Sequence, residues 1–417
     1  MVPGAADRQG LTEPPRSLHV GVVTHEPFWP PSGGGSSEAP YLVEHLVSRG
    51  HRVTVFAPAP GPVAAIERRF GICLDRFALF PMERRTRLRT LKYLAFPVLI
   101  ERHLETRHAA DPLSVVLAQH SISGVAAGRF GRRRAVPVVL NYLDCLTGYL
   151  DAGGGPRWAC RPLVRRLQQF ELGMARRYHA AAALTISATL ADALVATGLP
   201  AERVLPIYYG FDERLFDPRR ARCPQELTPG YVLMHGSWDD HHLGDVVPLA
   251  IDAVLARRPA TRFVIAGQGR RRYERLRRRG AARWGAAVRF VGWVDYERIC
   301  DYLAGAAVGL VPYPPSTGAH YTVACKLIEC VAMGVPSVCT ALRGTQRYFA
   351  DEPLVRFADF TPESLADAVV AWLETSPADR RQIGEPGSAR IRREQSWSAL
   401  AARVAGVIEA AARDANR

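Results

Sequence analysis

The sequence predicts an α/β protein built from two Rossmann-like, doubly wound parallel-sheet domains that face a central cleft. Three observations lead there. Short apolar, β-branched runs alternate with longer helical stretches, the pattern of parallel strands covered by helices on both faces. The runs fall into two sets, each large enough for its own sheet. Between the sets lies "FDPRRARCPQELTPG", rich in proline and charge and poor in apolar residues, which places an interdomain linker near residues 217–230.

Taken in order, residues 1–17, "MVPGAADRQGLTEPPRS", are polar and carry three prolines, so a disordered tail is expected rather than a secretory signal. The first domain is expected over 18–222, with strands in "HVGVVTH", "HRVTVFAP", "SVVLAQH", "VPVVLNYL", "AALTIS" and "RVLPIYYG". The second is expected over 223–390, with strands in "YVLMHGS", "RFVIAGQG", "VRFVGWV", "VGLVPYP" and "PSVCT". A break at Pro386 and Gly387 precedes a last helical segment, 391–417. Trp397, Leu400, Val404 and Val407 share one apolar stripe there, so this helix is expected to pack back on the first domain.

At 417 residues and 48% hydrophobic composition the chain can fill more than one core, and a mean hydropathy of −0.06 reads as soluble and globular. No apolar run approaches the roughly 20 residues of a membrane-spanning helix. The eight cysteines lack a CxxC pair or metal-ligand spacing and fit a reduced cytoplasm. A net charge of +14 suits anionic partners of several kinds. The run 270–279 reads as the solvated face of a helix, whereas 84–92, "RRTRLRTLK", adjoins the apolar "YLAFPVLIERHL" and suggests peripheral contact with a membrane or an acidic partner. The competing reading of 84–92 is an ordinary helix packed on its domain.

Open parallel sheets bind ligands outside the carboxyl ends of their strands, so two facing sheets place the ligand in the cleft between them. Gly33, Gly34 and Gly35 follow the first strand and enter a helix expected to start near Ser36. Glycine lets the backbone approach an anion, and a helix N-terminus offers unpaired N–H groups. The spacing is neither GxGxxG nor a GK[ST] P-loop, which disfavours a dehydrogenase or an NTPase.

"PPSGGGSSEAPYLVEHLVSRGHRVTVFAP" resembles the opening of the GT-B glycosyltransferases, in particular the family-four group that uses nucleotide sugars. The resemblance continues in order through "RFVIAGQGRRRYERL", "VRFVGWVDYERICDYLAGAAVGLVPY" and "CKLIECVAMGVPSVCT", and covers nearly all of the chain after residue 18. It implies metal-independent transfer from a nucleoside-diphosphate sugar, a co-substrate rather than a cofactor, to an acceptor nucleophile on a small molecule, a lipid or a carrier, with no nucleic acid expected as partner. The nucleotide is held mainly by the second domain and the acceptor by the first. By the family role, Glu329 accepts the ribose hydroxyls, while N–H groups around Val323 and Ala324 face the diphosphate. Lys326 adds a positive charge there, or pairs at the surface.

Three positions depart from the family pattern. Tyr321 occupies the place of a first glutamate that contacts the donor sugar. Ser237 and, approximately, His242 stand where two basic residues grip the diphosphate; Lys326 and Arg270 are candidates to compensate. Leu143, followed by Asp144, replaces a common histidine, whereas His120 matches another at a strand's carboxyl end. His241 and His242 beside Asp239 and Asp240 do not make a metal site, since adjacent side chains point apart. The expected chemistry is retaining transfer from a UDP-sugar, chosen on family frequency, with Asp144 and His120 positioning hydroxyls. Three alternatives stay open: an inverting enzyme with Asp144 or His120 as base, a nucleotide-sugar epimerase, and a non-catalytic basic binding protein.

Overall fold

The computed structural model describes residues 17–30, 34–58, 61–77, 89–150, 161–238, 246–269 and 271–415. The first sheet comprises β1 (His19–Val23), β2 (Arg52–Ala57), β3 (Cys73–Arg76), β4 (Val115–Gln119), β5 (Val138–Tyr142), β6 (Ala182–Thr185) and β7 (Val204–Pro206). Its order is β3-β2-β1-β4-β5-β6-β7, and the pairings are parallel throughout. β1, β4 and β5 are buried along their whole length, which is why they read as continuous apolar runs rather than alternating ones.

The second sheet comprises β8 (Tyr231–His235), β9 (Phe263–Ala266), β10 (Val288–Gly292), β11 (Ala306–Val311), β12 (Ser337–Thr340) and β13 (Val355–Ala358), ordered β10-β9-β8-β11-β12-β13 and again parallel. The strand order reverses between β1 and β4 in one sheet and between β8 and β11 in the other. A ligand crevice opens at such reversals, outside the carboxyl ends of the strands. The elements that matter most are therefore those leaving β1, β4 and β5 on one side and β8 and β11 on the other.

The sequence reading lacked β3 and β13. Both are four-residue edge strands with half-buried members, and short edges carry little apolar signal. The expected break at Pro386–Gly387 is corrected. One helix, Pro377–Glu394, runs through it, and Gly387 serves packing instead, because a Cβ there would strike the Glu352 carboxylate. The expected boundary at 390/391 thus falls inside a helix. The chain turns at Gln395, and Ser396 caps the next helix, Trp397–Asp414, by accepting from the Ala399 N–H at 3.3 Å.

That last helix lies on the first domain, against helix α1 (Gly34–Ser48). Trp397, Leu400 and Val404 are buried, and Trp397 stacks on Tyr41 of α1 with ring centroids 5.4 Å apart. Glu409 accepts from Arg49 at 2.7 Å and pairs with the buried His51 at 2.9 Å. The two crossings between domains are paired to each other: Phe211 N–H donates to the Gln395 carbonyl at 3.1 Å, and Trp397 N–H donates to the Phe211 carbonyl at 3.0 Å. The tail, but for Ser17, and residues 84–88 lie outside the described residues, as do the side chains of 89–92.

Candidate functional site

On the first-domain side, α1 begins at Gly34, two residues before the expected start. Helix ends shift by a residue or two, and glycine is tolerated in a first turn whose N–H groups have no intrahelical partner. Gly34 and Gly35 are thus helix N-terminal residues, while Gly33 lies outside the described residues. One turn into α1, Glu38 is buried and accepts from Asn141 Nδ2 at 2.8 Å and, more weakly, Gln119 Nε2 at 3.4 Å. These donors end β5 and β4, so one carboxylate ties the start of α1 to the crevice. Burial pushes the Glu38 carboxyl up to about 7.

His120 follows Gln119 and opens the helix His120–Arg134 with φ of +61°, a left-handed backbone uncommon for a side-chain-bearing residue. It is buried, and its ring meets His25, two residues past β1, edge-on at 5.0 Å. Asp144 stands two residues past β5 and accepts from the Tyr149 hydroxyl at 3.1 Å. Burial pushes its carboxyl up to about 7; the Tyr149 bond opposes the rise, and the charges of Glu171 and Glu26 add to it.

On the second-domain side, helix α12 (Cys325–Ala332, the twelfth α-helix of the described chain) carries both expected ligands. Glu329 is buried and meets the buried His235 Nε2 at 2.8 Å, where β8 ends. One turn earlier, the Lys326 ammonium lies 3.1 Å from the Tyr313 hydroxyl, just past β11. The Lys326 stem crosses the turn that follows β8. Gly236 there has φ of +111°, and a Cβ on it would collide with Lys326 Cε. Ser237, the next residue, is exposed. Lys326 therefore lies over the turn that lacks a basic residue at Ser237. Val323 and Ala324 are buried ahead of α12, and no side chain caps its start. His242 and Arg270 lie outside the described residues.

The two sides touch. Ser187 Oγ donates to the Tyr321 carbonyl at 2.5 Å, and Gly148 packs so closely on Gly318 that a Cβ would sit 2.6 Å from the Gly318 nitrogen. Tyr149, which holds Asp144, packs its ring on the same Gly318. Burial first, then Glu329 and Asp144, push the Cys325 thiol up to about 12. The structure thus brings Asp144, Lys326 and Glu329 into one cleft.

Glu38, His235 and Tyr149 were not singled out in the sequence. His235 carried a faint signal as the polar end of an apolar strand, "YVLMH". A separate groove of about 1030 Å³ opens at the other end of the first sheet, lined by Val138, Ala182, Leu205 and Arg403. It lies at the amino ends of the strands, away from the crevice.

Two family models match the chain: "Glycosyl transferase 4-like domain" over residues 33–210 and "Glycosyl transferase-like" over residues 248–406. A phosphatidyl-myo-inositol mannosyltransferase of Mycobacterium tuberculosis is 25% identical over 411 residues, covering 95% of this chain and 97% of its own. A GDP-mannose-dependent alpha-mannosyltransferase of the same organism is 26% identical over 384 residues, covering 88% and 92%. The crystal structure of Anabaena HepE in complex with UDP and glucose superposes with a TM-score of 0.68 at 17% identity, covering 93% of this chain and 98% of that one.

Proposed function

From the premise that this chain belongs to the GT-B glycosyltransferases of the family-four type and is a glycosyltransferase, we propose that it transfers a hexose with retention from a nucleoside-diphosphate sugar to a hydroxyl on a lipid-anchored acceptor. GDP-mannose is favoured over the UDP-sugars expected from family frequency. That preference rests on the relatives whose names state a donor, which are GDP-mannose-dependent. The lipid acceptor rests on the phosphatidyl-myo-inositol mannosyltransferase and on the basic-apolar run at 84–92.

The observation that carries the proposal is the placing of Glu329 and Lys326 one turn apart on α12, beneath the Gly236 turn. In this reading Glu329, oriented by His235, accepts the ribose hydroxyls. Lys326 and the N–H groups near Val323 and Ala324 face the diphosphate. The leaving group is an anion, so charge stabilisation on its phosphates is the largest catalytic demand. Lys326 supplies from α12 the cation that Ser237 does not. As the glycosidic bond to phosphate breaks, the departing phosphate oxygen takes the acceptor's proton, and no strong protein base is needed. Contact between the domains excludes water from the donor.

The test is nucleoside-diphosphate release from GDP-mannose and UDP-glucose, with and without phosphatidylinositol vesicles. Release of GDP that depends on the vesicles, with a mannosylated lipid as product, supports the proposal. Isomerisation of the donor sugar without acceptor favours the epimerase, and UDP release alone restores the UDP-sugar reading.

A further inference from the structure

Along α12 the groups run in a fixed order. Glu329 comes deepest and Lys326 lies one turn toward the helix start, while the helix Thr317–Tyr321 just ahead of it meets Tyr149, the partner of Asp144 on the opposite domain. A nucleoside-diphosphate sugar has the same linear order: ribose, diphosphate, sugar. If Glu329 takes the ribose, as in the function proposed above, the sugar lies next to Asp144. On the second-domain side, position 321 presents no carboxylate. Tyr321 is half-buried there, with its carbonyl occupied by Ser187.

We propose that Asp144 is a donor-specificity residue: its carboxylate, reaching across the cleft from the first domain, binds hydroxyl groups of the donor sugar. The inference rests on the nucleotide register proposed for Glu329. The structure builds Asp144 into place. Glu171, on the helix Arg161–Leu172, is buried and accepts from the Leu146 and Thr147 N–H groups at 3.0 and 2.8 Å. These bonds fix the short turn Leu146–Tyr149. The Tyr149 hydroxyl then holds Asp144 at 3.1 Å, and the Tyr149 ring packs on Gly318, where a Cβ would lie 2.7 Å from it. Gly318 belongs to the helix Thr317–Tyr321 of the other domain. The carboxylate is therefore set at the domain contact itself.

A carboxylate offers about four lone-pair sites on its two oxygens, so one bond from Tyr149 leaves room for sugar hydroxyls. Such bonds are charge-assisted and are stronger away from bulk water. Burial holds the carboxyl near neutrality without ligand, and hydroxyl donors favour its anion.

The experiment compares the wild type with Asp144→Asn and Asp144→Ala by calorimetric titration without acceptor, using GDP, GDP-mannose, UDP and UDP-glucose as probes. For the base that binds, the dissociation constant of the sugar donor rises at least tenfold in both variants, while that of the free diphosphate stays within twofold. Monodeoxy donors sharpen the test: for the analogue lacking the bonded hydroxyl, the Asp144→Asn penalty disappears. The inference is overturned if donor and free diphosphate weaken equally, if neither changes, or if only the turnover rate falls, which would make Asp144 an acceptor-side base. Glu329→Ala, run in parallel, tests the register separately. Unchanged diphosphate binding in that variant is a failure of the register, and the donor-to-diphosphate ratio of the Asp144 variants is still read independently of it.

Discussion

The His235 imidazole and the Glu329 carboxylate meet at 2.8 Å, both buried, where β8 ends beside α12. The pair joins the strand at the sheet's reversal point to the helix expected to hold the nucleotide. It also orients the carboxylate through one of its oxygens.

Removing His235 leaves a buried carboxylate without its orienting partner. His235→Ala is expected to destabilise the protein by about 1–3 kcal/mol and to weaken nucleoside-diphosphate binding roughly tenfold. Chemical denaturation and titration calorimetry read the two effects separately. His235→Asn, which keeps a donor, recovers part of the binding.

Lys326 is the relocated cation of this account. Lys326→Ala is expected to lower diphosphate affinity by about 10- to 100-fold, the range for a lost charge-assisted bond of ~1.5–3 kcal/mol. The double variant Lys326→Ala/Ser237→Arg returns a cation to the same turn and regains at least a third of the loss on a logarithmic scale. Failure of Ser237→Arg to rescue argues that the two positions do not serve one phosphate.

Gly236→Ala tests the same turn through its backbone. The residue has φ of +111° and Lys326 lies where a Cβ would stand. We expect a loss of roughly 1–3 kcal/mol in stability together with weaker diphosphate binding, because Lys326 is displaced. A substitution that costs stability alone contradicts the placement of Lys326.

Glu38 has a folded-state proton affinity raised from 4.5 to about 7. Over that interval the folded state holds more protons than the unfolded one, so stability falls as pH rises from about 4.5 to 7 and levels off above. The total fall from this group is on the order of 3 kcal/mol. Glu38→Gln keeps an acceptor for Asn141 and Gln119 but does not titrate. The difference in stability between variant and wild type should then change with pH across this window, and a constant difference contradicts the assignment.

The parallel strands and the cleft were legible because buried strands such as "VVLAQ" and "YVLMH" are apolar throughout. Glu329 was legible because a specific flanking turn follows it. Glu38 was not: three residues past a glycine run it reads as the solvated first turn of a helix. Only the fold brings Asn141 and Gln119, 103 and 81 residues further along the chain, over it. Asp144 was picked out, but its tie to Tyr149 depends on the turn that Glu171 holds, and the packing of Tyr149 on Gly318 is a domain contact for which single-sequence patterns carry no register. The short edges β3 and β13 were missed for want of apolar signal, and Gly387 misled because a packing glycine and a breaking glycine look alike.

Calorimetric titration of GDP and UDP into the wild type and Glu329→Ala puts the role of Glu329 itself to the test. One nucleotide is expected to bind the wild type, and Glu329→Ala to bind it at least tenfold more weakly, about 1.4 kcal/mol, while remaining folded. Equal binding to both proteins, or no binding of either nucleotide to the wild type, would contradict it.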